Sequence, residues 1–191
     1  MAEFPKQLKR GDIVLKKLKP TFDNCKIVFD LMDKNRKFLR RWLRWIDAIK
    51  CKEDELGFLQ KTSKSDNGEY TILFRGKIVG MCGFHSFSDK NKNGEIGYWL
   101  SREYNGMGIM TKSIKILESF VFGKLDWERV EIRNDTKNEK SAAIPKRLGY
   151  RLDGVLRHFG YGTGSDKNKF RDMNIWSKLK SEWEREKGQM K

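Results

Sequence analysis

Hydrophobic positions fall into two periods along the chain. At Ile96, Tyr98 and Leu100 every second residue is apolar or aromatic, the alternation of a β-strand. From Met110 the apolar residues recur at Ile114, Leu117 and Val121, along one face of a helix. The segment between them, Asn105-Gly106-Met107-Gly108, therefore hands a strand over to a helix through two glycines.

The same periods order the rest. Ile13, Leu15 and Leu18, after Gly11, predict a first strand. Between Thr21 and about Trp45 the apolar set Ile27, Val28, Leu31, Phe38, Trp42 and Trp45 predicts two helices joined near Lys34–Asn35. A third helix covers Lys52 to Lys61 and ends in the polar loop KTSKSDNG. EYTILF and KIVGMCGFHSF pair as strands across an Arg75-Gly76 turn. RVEIR is a short strand, and NEKSAAIPKRLGY a short helix closing at Gly149. Two extended runs from Arg151 to about Leu179 form a hairpin around GTGSDKNK, and SEWEREKGQMK reads as a charged, fraying tail. There is no repeat and no linker. The expectation is a single α/β domain with a mixed sheet over residues 1–191, its core about 8–183 and its tail 184–191.

Composition narrows the class. The 191 residues suffice for one domain with a real core, and 38% hydrophobic with 12% aromatic residues excludes a disordered chain. Lys and Arg number 41 against 26 Asp and Glu, a formal net charge of +15. Such a field attracts polyanions: nucleic acid, phosphorylated cofactors or acidic proteins. A lysine content that serves only solubility explains the charge equally well. Cys25, Cys51 and Cys82 are odd in number and far apart, and the histidines are His85 and His158. Neither a disulfide framework nor a metal site is expected from them. The N-terminus lacks the apolar core of a signal peptide and no run approaches a membrane span, so a cytoplasmic protein with reduced thiols is expected.

A helix N-terminus presents unpartnered amide N–H groups and a partial positive charge, and glycines before it let a ligand approach the backbone. A phosphate or pyrophosphate fits such a place. A Walker loop is excluded because GMGIMTKS does not supply Gly-Lys-Ser/Thr at the required spacing. A dinucleotide fingerprint needs a third glycine and an early position, which are missing. A coenzyme A pyrophosphate loop is the third reading, and a Gly-Met-Gly that is simply a turn stays open beside it.

The order GEIGYWLSREYNGMGIMTKSI … RVEIRNDTKNEKSAAIPKRLGYRLDGVLR resembles the GNAT acetyltransferase superfamily. Within it, the chain is similar to the ribosomal-protein N-terminal acetyltransferase branch (RimJ/RimL type), from LRRWLRWID to the SEW near residue 183. The resemblance implies an α/β (α+β) fold whose twisted, mixed and mostly antiparallel sheet splays between its fourth and fifth strands, flanked by helices. It implies acetyl-CoA, or coenzyme A, as cofactor. Against the family pattern Gln/Arg-x-x-Gly-x-Gly/Ala, Asn105, Gly108 and Met110 stand at the first, middle and last positions. The implied pyrophosphate donors are the amides of Gly106, Met107, Gly108, Ile109, Met110 and Thr111, with the Thr111 hydroxyl beside them. By the same resemblance Trp99 and Leu100 pair with the pantetheine arm, and Asn138 hydrogen-bonds coenzyme A. As residues, Asn138 reads equally as the N-cap of its helix.

For the chemistry, many GNAT enzymes place a tyrosine where this chain has Pro145. Ser141 is the residue the branch offers as general acid instead, with a backbone N–H near Trp99–Leu100 for the developing oxyanion. Glu95 is the candidate base, and His85, ending an apolar strand, an alternative one or a packed side chain. NRKFLRRWLRWID matches the branch's helical region over the acceptor groove, with Arg44 in place of a usual proline. Arg40, Arg41 and Arg44 with Trp42 and Trp45 then form a basic, aromatic lip for an acidic or flat partner, although at least one of these tryptophans reads as core. Without the family, that interleaving also suits RNA. The leading acceptor is the N-terminal amine of a protein, in particular a ribosomal one. A small amine (aminoglycoside, polyamine or aminoacyl nucleotide) and a non-catalytic RNA- or ribosome-binding domain are the alternatives. No membrane partner is expected, nucleic acid is not required, and a homodimer stays open.

Overall fold

A computed structural model describes residues 3–64, 68–163 and 166–189. Part of the KTSKSDNG loop, part of the GTGSDKNK hairpin tip and the last two residues lie outside them. The strands are β1 (Gln7–Arg10), β2 (Ile13–Lys16), β3 (Gly68–Phe74), β4 (Lys77–Ser88), β5 (Asn93–Leu100), β6 (Arg129–Asp135), β7 (Arg151–Tyr161) and β8 (Phe170–Leu179). The helices are α1 (Phe22–Lys34), α2 (Arg36–Leu39), α3 (Lys52–Lys64), α4 (Ile109–Gly123), α5 (Glu139–Arg147) and α6 (Lys180–Gln189).

The strands form one eight-stranded sheet in the order β1-β2-β3-β4-β5-β6-β8-β7. Every neighbouring pair is antiparallel except β5 and β6, which run parallel and are joined by the α4 crossover. That one parallel pair is short: it runs from Asn93↔Arg129 to Ile96↔Ile132, while β5 continues to Leu100 and β6 to Asp135. Beyond it the two strands part. With β1 added in front of the predicted first strand, this is the splay expected between the fourth and fifth strands. The single α/β domain with its mixed, mostly antiparallel sheet is therefore as anticipated.

Alternation along the strands separates two cores. Leu100, Cys82 and Phe84 join the α4 stripe of Ile114, Leu117 and Val121 in the larger one. Trp99 and Met81, one residue away on their strands, face Val28 and Met32 of α1 in the other. Thr21 starts α1 by accepting the Asn24 N–H at 3.4 Å, and Arg75 and Gly76 turn the β3–β4 hairpin with φ of 49° and 79°.

Two expectations are corrected. β1 carries mostly exposed polar side chains, QLKR, so no alternation marks it, and the predicted strand breaks off at Lys16 before Leu18. The charged tail does not fray after residue 183: it is the helix α6 through Gln189, anchored by the buried Trp183 against Phe122 at 5.6 Å between ring centroids. Lys178, at the end of β8 and 1% exposed, fixes that helix. Its ammonium donates to Leu148 O at 2.7 Å and to Glu186 of α6 at 2.6 Å, with Glu118 of α4 at 4.0 Å. A buried carboxyl that loses the cation beside it is strongly penalised, and burial already pushes Glu118 up to about 7 against the pull of Lys178. Lys178→Met should therefore lower the unfolding free energy at pH 8 by about 3–5 kcal/mol. Denaturant titration should show the loss shrinking as the pH falls and Glu118 takes up a proton.

Candidate active site

From the end of β5 the chain passes through a 3₁₀ turn at Arg102–Tyr104 into α4. The Asn105 side-chain nitrogen pins that turn, donating to the carbonyls of Ser101 at 3.2 Å and Arg102 at 3.1 Å. Gly106 and Gly108 then adopt φ of 82° and 72°, left-handed values that strain any other side chain. No atom lies within 4 Å of where a Cβ would stand on either. Gly108 caps α4 without a side-chain bond. Among the described residues no acceptor meets the amides from Gly106 to Thr111. Arg147, in the last turn of α5, donates to Thr111 Oγ1 at 3.0 Å and so adds a guanidinium to the spot. Free N–H groups, a helix's positive end and an arginine together suit an anion.

The loop leads into the gap between β5 and β6. Ser101 donates its N–H to Val79 O of β4 at 2.8 Å, so alternation turns the Tyr98 and Leu100 amides toward the gap. A slot of about 310 Å³ follows it, lined by Trp99, Leu100, Asn105, Met110, Asn138 and Ser141, with Arg41 and Trp42 at its edge. Asn138 caps α5 by accepting the Ser141 N–H at 3.2 Å, which holds Ser141 against the slot. The Tyr98 hydroxyl stands 3.0 Å from Ser141 Oγ and 3.3 Å from its carbonyl. Burial pushes the Tyr98 phenol up to about 12, so it stays protonated at neutral pH.

On the sheet face of Trp99 a second cavity of about 660 Å³ opens, and Gly97, Tyr98 and Trp99 belong to both its wall and the region of the gap. His85 of β4 and Glu95 of β5 meet there, Nε2 to Oε1 at 3.5 Å, and Arg133 of β6 reaches the other Glu95 oxygen at 3.3 Å. Gly97 makes room for the ring: a Cβ there would lie 2.8 Å from His85 Nδ1. The Glu95 carboxylate raises the His85 pKa above that of a free imidazole, with burial opposing it. An imidazole of this kind, open to a cavity and held by a carboxylate, is equipped to exchange protons at neutral pH.

The residues singled out in the sequence thus gather around two spaces that share Tyr98 and Trp99 as walls. Asn105, Met110, Trp99, Leu100, Asn138 and Ser141 border the slot, and Glu95, His85, Trp45 and Trp99 border the cavity. Ile109 and Met110 bury their side chains, leaving only their backbone to the loop, whereas Met107 is exposed. Neither tryptophan of the lip is core, contrary to expectation. Trp42 is half-buried beside the guanidiniums of Arg41 and Arg171, 5.6 and 5.5 Å from its ring, and Trp45 stacks on Phe58 at the cavity. Sequence reasoning missed Tyr98, Arg133, Arg147, Glu55 and Glu69. Only Tyr98 carried a local signal, as the neighbour of Trp99; the others meet the site from distant elements.

An anion loop at the end of a parting strand, opening on the slot beside it, suits an acyl-carrier-dependent transferase. Residues 13–151 match the acetyltransferase (GNAT) domain, and the chain belongs to that family. It is similar to YdaF of Bacillus subtilis (strain 168), provisionally named a ribosomal N-acetyltransferase: 32% identity over 163 residues, 83% of this chain and 87% of that one. The structure of RimL, a ribosomal L7/L12 α-N-protein acetyltransferase in complex with coenzyme A, superposes with a TM-score of 0.83 at 22% identity, covering 91% of this chain and 97% of that one. The microcin C7 self-immunity acetyltransferase MccE, in complex with acetyl-CoA and AMP, shares the fold at a TM-score of 0.81 and 24% identity, covering 93% of this chain and 98% of that one.

The charge arrangement can be checked directly. NMR titration of the His85 ring should give a pKa above the ordinary value of about 6.5, and Glu95→Gln should bring it down. A ring that titrates identically in both proteins contradicts the pairing.

Proposed function

We propose that this chain transfers the acetyl group of acetyl-CoA to the N-terminal α-amine of a protein, a ribosomal one being the leading candidate. The observation that carries the reading is the row of unpartnered amides from Gly106 to Thr111 at the mouth of the β5–β6 gap. The similarity to YdaF supports the choice of acceptor. Such an acceptor sits in the cytoplasm, where free thiols like those of Cys25, Cys51 and Cys82 persist.

The donor set fits the cofactor: main-chain N–H groups and Arg147 for the diphosphate, and the Tyr98 and Leu100 amides along the gap for an extended arm. When bound, acetyl-CoA supplies an acetyl group activated as a thioester. An α-amine of pKa about 8 is about one-tenth neutral at pH 7, against about one in 2,500 for a lysine, so it asks little of a base. The His85–Glu95 pair accepts the proton the amine must lose, the carboxylate holding the imidazole in place. Strand amides facing the gap hydrogen-bond the carbonyl oxygen as charge builds on it. Ser141 Oγ donates the proton that the departing sulfur needs. With the Tyr98 proton on the bond between the two hydroxyls, the serine's own is free to point into the slot, which makes Tyr98 a positioning residue.

Acetyl-CoA at 100 times its dissociation constant should stabilise the protein by about 2.7 kcal/mol, read as a rise in the thermal midpoint. Gly108→Leu should weaken that binding about tenfold or more; stabilisation absent at millimolar acetyl-CoA would leave a basic binding domain rather than an enzyme. In steady-state assays of thiol release with N-terminal peptides, Ser141→Ala should lower kcat about 10²-fold with acetyl-CoA affinity nearly intact, as for a group acting in the transition state. Tyr98→Phe should give a smaller loss in kcat alone. An unchanged kcat in Ser141→Ala would remove the serine from this role.

A further inference from the structure

We propose that the acceptor carries a second positive charge, an ammonium or guanidinium a few methylenes from the amine that receives the acetyl group, and that Glu55 and Glu69 hold it. The inference rests on reading the cavity beside His85 and Glu95 as the acceptor site. Glu55 of α3 is only 2% exposed, yet it lines that cavity together with Glu69 of β3. Neither carboxyl forms a hydrogen bond or ion pair with the described residues, although the His85 imidazole acts on Glu69 through space. A buried carboxylate without a cation is costly, and proteins normally satisfy one.

His85 and Arg133 both stand on Glu95; His85 also acts on Glu69 through space, but among the described residues no cation acts on Glu55. Burial, with repulsion from Glu69, pushes Glu55 up to about 7; burial also raises Glu69, with His85 opposing it. A cation placed between the two carboxyls is the partner they lack. The surrounding walls suit the rest of such a molecule. Trp45 and Phe58 stand with ring planes 4° apart and offer π faces to an ammonium, while Met32 and Met81 line the path for methylenes. This recognition is local, because the chain as a whole carries +15 and repels cations. The chemistry is an aliphatic dication, either a free α,ω-diamine or a peptide whose first residue is lysine or arginine.

Calorimetric titration of the wild-type protein near pH 7.5 tests the subsite with two matched pairs. One pair is 1,5-diaminopentane against 1-aminopentane; the other is a lysine-first tripeptide against its norleucine-first counterpart. The dication should bind about tenfold more tightly than its partner in one pair, and the pair that shows it identifies the source. Glu55→Gln and Glu69→Gln, on different elements so that one misfolded variant does not decide the outcome, should each reduce that preference to about threefold or less. Equal affinities within both pairs, or a preference that survives in both variants, would overturn the proposal. Acetyl-CoA binding, measured on the same samples, tests the acetyltransferase reading alone, so the two fail separately.

Discussion

β5 and β6 share backbone pairing over four residues and then diverge, although each strand continues. Backbone polar groups inside a fold need partners, so a strand edge abandoned in the middle of a sheet is an incomplete structure that a ligand can finish. The consequences run in both directions from that edge. At its end the chain must turn sharply into the α4 crossover, which places glycines and free amides there. Beside it lie the slot that α5 borders and the cavity that α1 and α3 border. A single interruption of pairing thus brings together an anion site, a proton donor and a cavity with an imidazole–carboxylate pair.

The remaining fold holds this opening in shape. α4 packs its apolar stripe in the larger core, so its N-terminus cannot drift from the strand it follows. Asn138 caps α5 and at the same time fixes Ser141, a dual use that a cap residue at the edge of a cleft permits. The buried Lys178 ties β8, α6 and the end of α5 into one unit, which keeps β6 and β8 paired while β6 leaves β5. Rigid neighbours are what make an unpaired edge useful rather than merely frayed.

Much of this was legible in the sequence where the cause is local. Two glycines between a period-two run and a period-four stripe have a backbone reason, and the structure gives both left-handed φ. Arg75-Gly76 as a turn follows the same logic. The misses have nonlocal causes. β1 is a polar edge strand whose only specification is its partner β2, and α6 looked like solvated tail because Trp183 and Lys178 find their burial against distant elements. Glu55 and Glu69 were unremarkable in a chain with 26 acidic residues. Only the cavity that α3, β3 and β4 line together brings them to the same space as His85. The basic–aromatic lip, in contrast, was visible, but its reading as one surface was too simple: Trp42 sits beside arginines while Trp45 turns to the acidic cavity.

The central claim is that main-chain amides at the α4 N-terminus and along the abandoned β5 edge receive the cofactor. Amide chemical-shift perturbation on adding coenzyme A addresses it residue by residue. The account requires the largest shifts at Gly106 to Thr111, with Tyr98 and Leu100 following along the strand. Perturbations confined to exposed lysines, with those amides unmoved at saturation, would contradict it.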